Sequence, residues 1–140
     1  MTGADYIDWF LRWFYGILRV VRVFKNTRFA RYADKEGISD SDLREAVNQL
    51  EAGQADANLG GNVYKVRVAR SGEGKSRGHR VIVLFRSGEK TFYVYGFAKS
   101  ERANISEKEL RNFKERAKDY FSLTIEQLEN RIKHGKLIEL

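Results

Sequence analysis

Val63-Tyr64-Lys65-Val66-Arg67-Val68-Ala69-Arg70, His79-Arg80-Val81-Ile82-Val83-Leu84-Phe85-Arg86 and Thr91-Phe92-Tyr93-Val94-Tyr95-Gly96-Phe97-Ala98-Lys99 are three apolar runs within one basic stretch, residues 63–102. They are rich in Val, Ile, Phe and Tyr, side chains that pack well on a pleated surface. Alternation on the first run puts Tyr64, Val66 and Val68 on one face and Lys65 and Arg67 on the other. The second run, Arg80–Arg86, is apolar on both faces in its middle, which predicts a central strand. Ser87-Gly88-Glu89-Lys90 reads as a hairpin turn into the third, Thr91–Ala98, again apolar on both faces. The stretch holds ten Lys and Arg against three Glu, a surplus of seven that equals the +7 of the whole chain. The excess charge thus sits on one predicted sheet, as on a surface that meets phosphates. Lys65 and Arg67, about 7 Å apart on one strand face, suit a phosphate backbone.

Downstream, Ser106-x-x-Glu109 and Thr124-x-x-Gln127 are capping boxes that open two helices. Leu110, Phe113, Ala117, Tyr120 and Phe121 form the inner stripe of the first, and Ile125, Leu128 and Ile132 that of the second. Gly135 stops the second helix, and Lys136–Leu140 is either a frayed tail or an added strand. Upstream, Thr27–Glu36 predicts a short helix with Phe29, Ala30 and Ala33 inward, ended by Gly37. Ser39 caps another, carrying Leu43, Ala46, Val47 and Leu50 and ended by Gly53, so the pair forms an αα-hairpin. Arg19–Phe24 reads as a first strand and Ala55–Asn62 as a polar connector. Residues 1–18 place Ile7, Phe10, Leu11, Phe14, Ile17 and Leu18 at helical spacing, with Trp9 and Trp13 widening the stripe. They read as an aromatic amphipathic helix or extension, and residues 19–140 as one domain. The whole predicts an α+β fold: an antiparallel sheet of about four strands, an N-terminal αα-hairpin and C-terminal helices.

Composition narrows the chemistry. The 140 residues are 42% hydrophobic, enough for a core, and a pI near 9.7 favours an anionic partner. Zero Cys excludes disulfides, thiolate-bound zinc and a thiol nucleophile. His79 and His134 leave little for a metal site, and none is expected. No apolar run is long enough to span a bilayer. Asp5 and Asp8 open the chain where a secretory signal would be basic, so a cytoplasmic location is expected. Gly72-Glu73-Gly74-Lys75-Ser76 mimics the end of a phosphate-binding P-loop, but Ala69 stands where its first glycine belongs and a strand follows instead of a helix. It reads as a hairpin loop whose Lys75 and Arg77 can touch a backbone. His79, beside Arg80, is either a proton shuttle or a surface turn residue. Tyr93, Tyr95 and Phe97 share one face of the third run, as sheet core or as a platform for bases; Tyr95 is the best candidate for stacking.

Tyr64-Lys65-Val66-Arg67-Val68, Gly78-His79-Arg80-Val81-Ile82-Val83 and Gly96-Phe97-Ala98-Lys99-Ser100-Glu101-Arg102-Ala103-Asn104-Ile105-Ser106 resemble the RelE/ParE superfamily of bacterial toxins, most nearly its HigB-type branch. The resemblance covers about residues 20–122. It implies a compact RelE-like fold and a toxin of a type II toxin–antitoxin system. Such toxins cut messenger RNA on the ribosome without metal or other cofactor, and they orient the RNA so that its own 2′-hydroxyl attacks the adjacent phosphate. The implied partners are mRNA, the ribosome and a co-encoded antitoxin with a helix-turn-helix DNA-binding domain. The implied catalytic positions are Lys65, Arg67 and Arg80, with His79 where the family has an aromatic residue. Lys99 and Arg102 match the basic exit of the last strand; with Arg70, Lys75, Arg77, Arg86 and Tyr95 they make up the expected RNA contacts. Ser100 replaces an arginine of RelE, and a tyrosine that takes part in proton transfer falls near Ser106. The general base is then His79, Lys65 or Tyr95. Two other readings remain open: a toxin of the ParE kind that inhibits DNA gyrase, and a basic RNA-binding module.

Overall fold

The computed structural model describes residues 21–69 and 78–140. The aromatic segment 1–18 and the expected RNA contacts Arg70, Lys75 and Arg77 lie outside the described residues. The elements run β1 (Val23–Asn26), α1 (Thr27–Glu36), α2 (Asp40–Glu51), β2 (Ala57–Gly60), β3 (Val63–Val68), β4 (His79–Phe85), β5 (Thr91–Ala98), α3 (Glu107–Phe121), α4 (Ile125–Lys133) and β6 (Leu137–Glu139). The strands form one sheet in the order β2-β3-β4-β5-β1-β6.

This is the expected α+β architecture, with six strands in place of about four. The stretch Ala55–Asn62 is not only a connector. Gly61 and Asn62, at φ 60° and 64°, form the tight turn that folds β2 back on β3. The C-terminal residues supply the other extra strand, β6, antiparallel to β1. The first strand begins at Val23 and runs two residues beyond Phe24. Its last residue, Asn26, caps α1 by accepting a hydrogen bond from the Phe29 amide at 2.8 Å. β1 lies parallel to β5, so the sheet is mixed rather than wholly antiparallel.

The sheet is covered on both faces, which is why β4 is buried along its full length. On one face the α1–α2 hairpin packs Phe29, Ala33, Leu43, Val47 and Leu50 against Val66, Val68, Val81, Val83 and Tyr93. On the other, Phe113, Ala117 and Tyr120 of α3 and Leu128 of α4 meet Phe24, Ile82, Leu84, Phe92 and Phe97. All three predicted serine and threonine caps are in place, at Ser39, Ser106 and Thr124. Ile125 departs from its expected inward stripe: it is 72% exposed, while Leu128, three residues on, is fully buried.

Candidate nucleic-acid interface

The alternation in β3 is realised as the side-chain period requires. Lys65 pairs with Ile82 and Arg67 with Arg80 across the β3–β4 ladder, so Lys65, Arg67 and Arg80 share the face on which α3 packs. Arg67 and Arg80 are directly opposite each other. Like charges in that position cost stability unless an anion lies between them or beside them. Asp56 offsets part of this cost. Its carboxylate accepts a hydrogen bond from the Arg67 amide and lies 3.4 Å from the Arg67 Nε. Arg67 stays exposed, Lys65 is half-buried and Arg80 is 6% exposed.

A β-bulge in β5 extends this face. Ile82 pairs with Tyr95 but Val83 pairs with Tyr93, so Val94 is the extra residue. The bulge splits the expected aromatic trio. Tyr93 turns into the α1–α2 core, where its hydroxyl donates to the Leu43 carbonyl at 2.6 Å and burial pushes its pKa up. Tyr95 and Phe97 turn the other way, with Phe97 beside Arg80 and Tyr95 stacked on Phe113.

Arg102, expected among the RNA contacts, is held by its own neighbours. Its guanidinium forks onto Glu109 at 2.7 and 3.1 Å, donates to the Tyr95 hydroxyl at 3.0 Å and gives its Nε to the Asn104 carbonyl at 2.9 Å. It also lies 5.8 Å from the Tyr95 ring centroid and 5.6 Å from that of Phe97. The Arg102 hydrogen bonds, then the Ser106 amide, hold the Glu109 carboxyl down at about 2. Arg102 thus fastens the start of α3 to β5. Lys99 is exposed in the turn after β5.

His79 and Arg86 fall away from the cluster. His79 precedes Arg80 on β4 and so faces the other side of the sheet, where it is 1% exposed and its Nδ1 meets the Tyr32 hydroxyl of α1. The surface-turn reading of His79 is therefore overturned, because α1 covers the start of β4. Gly96 makes room for this contact: a Cβ there would stand 2.5 Å from the Tyr32 ring. Arg86 follows the far end of β4, roughly 20 Å from Arg80 at the rise of a strand. It lies 4.7 Å from the Phe121 ring and lines a groove of about 420 Å³ with Arg111, Lys114 and Lys118.

The RelE toxin model, described as the RelE toxin of the RelE/RelB toxin–antitoxin system, matches residues 21–140. The chain belongs to the RelE toxin family. Membership makes it a toxin of a toxin–antitoxin system with a cognate antitoxin as partner. Comparison with curated proteins finds no match. In this RelE toxin, among the described residues, no helix is long and apolar enough to cross a membrane and no group of three or more His, Asp or Glu is placed to hold a metal ion. Sequence reasoning missed Asp56, Tyr32 and Arg28, the last an α1 residue whose guanidinium lies 4.6 Å from the Tyr95 ring centroid. The Gly60-Gly61-Asn62 turn was the available signal for Asp56, since a hairpin there brings Asp56 back beside Arg67. Neither Tyr32 nor Arg28 leaves a local signature; both act through contacts distant in sequence.

Proposed function

We propose that this RelE toxin is a ribosome-dependent endoribonuclease and that Lys65, Arg67 and Arg80 hold the RNA for cleavage. The observation that carries the reading is the convergence of these three cations on one sheet face, beside the Tyr95–Phe97 floor. Attack by a 2′-hydroxyl on its own phosphate passes through a dianionic pentavalent phosphorus. Fixed cations that meet this added charge lower the barrier without reorganising. Arg67 and Arg80 supply planar forks that fit phosphate oxygens, and Lys65 a mobile donor. His79 lies behind the sheet, and the Tyr95 hydroxyl already accepts from Arg102. In this reading Lys65 joins Arg67 and Arg80 as a cation that meets the added charge, and His79 supports the strand rather than the reaction. Tyr95 and Lys99 border the RNA, whereas Arg86 and Arg102 serve elsewhere.

The reading includes a cytoplasmic site of action, with mRNA and the ribosome as targets and an antitoxin that covers this face. It also keeps residues 1–18 as an extension to the toxin domain; the family match from residue 21 supports that boundary. Induced expression, with growth and transcript 5′ ends measured together, tests it. New 5′ ends inside codons accompany growth arrest if the reading holds. Arrest with intact transcripts and blocked DNA supercoiling would establish the gyrase-directed alternative instead.

A further inference from the structure

Arg28 occupies a position that folding alone does not favour. It is the second residue of α1, it is exposed, and the first turn of α1 contains no acidic residue. A cation there opposes the positive end of the helix dipole. Among the described residues no carboxylate forms an ion pair with it. Its guanidinium lies instead 4.6 Å from the centroid of the Tyr95 ring. The topology explains how a residue of α1 reaches that ring. Along β5, β1 pairs with Thr91, Phe92 and Tyr93, and the Asn26 side chain closes this ladder on the Val94 carbonyl at 3.2 Å. Beyond Val94 the edge of β5 is open, and α1 starts there.

A row of groups therefore crosses the sheet: Lys65 and Arg67 on β3, Arg80 on β4, Tyr95 on β5, and Arg28 past the edge. With strands about 4.8 Å apart, the row is roughly 15 Å long. Its place over the Tyr95 ring holds the Arg28 guanidinium beside the cluster while leaving N–H groups for a further anion. Arg102 is committed elsewhere, because four of its five N–H groups donate to Glu109, Tyr95 and Asn104.

We propose that Arg28, braced by Tyr95, is a second phosphate subsite that holds the RNA strand where it leaves the Lys65–Arg67–Arg80 cluster. The inference rests on the ribonuclease reading above. It assigns Arg28 to binding and positioning of the strand, not to the bond-breaking step.

The test is the affinity of the full chain for a single-stranded RNA oligonucleotide made uncleavable by 2′-deoxy substitution, measured over a range of salt. Arg28→Ala is expected to bind about tenfold more weakly at low salt, as for the loss of one charge-assisted phosphate contact. Its slope of log affinity against log salt should be shallower by about 0.7, the single-strand value for one phosphate. Arg28→Lys should keep the slope, and both variants should melt near the wild-type temperature. Wild-type affinity and slope in Arg28→Ala, with or without a lower melting temperature, would overturn the subsite and leave Arg28 a structural stacking partner. Unchanged RNA binding with weakened antitoxin binding would likewise overturn it, in favour of a contact to an acidic protein. A wild-type chain with no salt-dependent binding to this RNA would also overturn the subsite, whereas the ribonuclease reading fails separately, if induced expression gives no new transcript 5′ ends.

Discussion

Gly96 and Tyr32 show how one missing methyl can set a face of this sheet. The Tyr32 ring rests where a Cβ of residue 96 would be, and its hydroxyl meets the buried His79. Gly96→Ala should cost about 1–3 kcal/mol, the usual penalty for overpacking. Adding Tyr32→Ser should recover part of that loss, and a double-mutant cycle of melting curves measures the coupling. Glu109 offers a test in pH. Its carboxyl stands at about 2 in the folded chain against an ordinary 4.5. A depressed folded value stabilises the fold above the unfolded value, and that contribution is lost as pH falls through about 2. Between pH 4.5 and 2 the wild-type melting temperature should therefore fall more steeply than that of Glu109→Gln, which retains a side chain able to close the capping box. Parallel curves for the two proteins would remove the Arg102–Glu109 pair from the account.

At the level of elements, much was legible because local chemistry dictated it. Ser39, Ser106 and Thr124 cap their helices as their spacing to Asp42, Glu109 and Gln127 requires. β5 has the predicted bounds, since its apolar run is bracketed by turns. What stayed hidden depended on partners far along the chain. β2 is four residues long with a half-exposed pattern, and only the positive-φ turn at Gly61 and Asn62 reveals it. The β5 bulge has no signature in an unbroken apolar run, yet it decides that Tyr93 and Tyr95 face opposite ways. β6 is held by contacts more than a hundred residues away. Arg22 grips Glu139 at 2.8 and 2.9 Å and Glu129 at 2.8 Å, and its guanidinium holds the Glu139 carboxyl below its usual range. Leu137 on the same strand is 1% exposed. Removal of residues 136–140 should thus destabilise the fold by at least about 2–5 kcal/mol, the cost of one emptied leucine site. A truncated chain that melts with the wild type would show that β6 is dispensable.

In the molecule as a whole, helices on both faces leave the cationic cluster as the part of the sheet where charge rather than packing governs the side chains. The sequence pattern already separated Lys65 and Arg67 from Tyr64, Val66 and Val68, because strand alternation is a local rule. It could not show that Arg102 is spent on Glu109, that His79 lies behind the sheet, or that Asp56 steadies Arg67; each needs two elements placed together. The central claim is that the Lys65–Arg67–Arg80 face stabilises the transition state of RNA cleavage. Single-turnover cleavage of a ribosome-bound message by Arg67→Ala and Arg80→Lys tests it most directly, with melting curves showing that both remain folded. Arg80→Lys keeps the buried charge and removes only the fork. The account predicts a loss of roughly a hundredfold or more in rate for each, the effect of removing one preorganised donor. Cleavage within about twofold of wild type by both folded variants would contradict it.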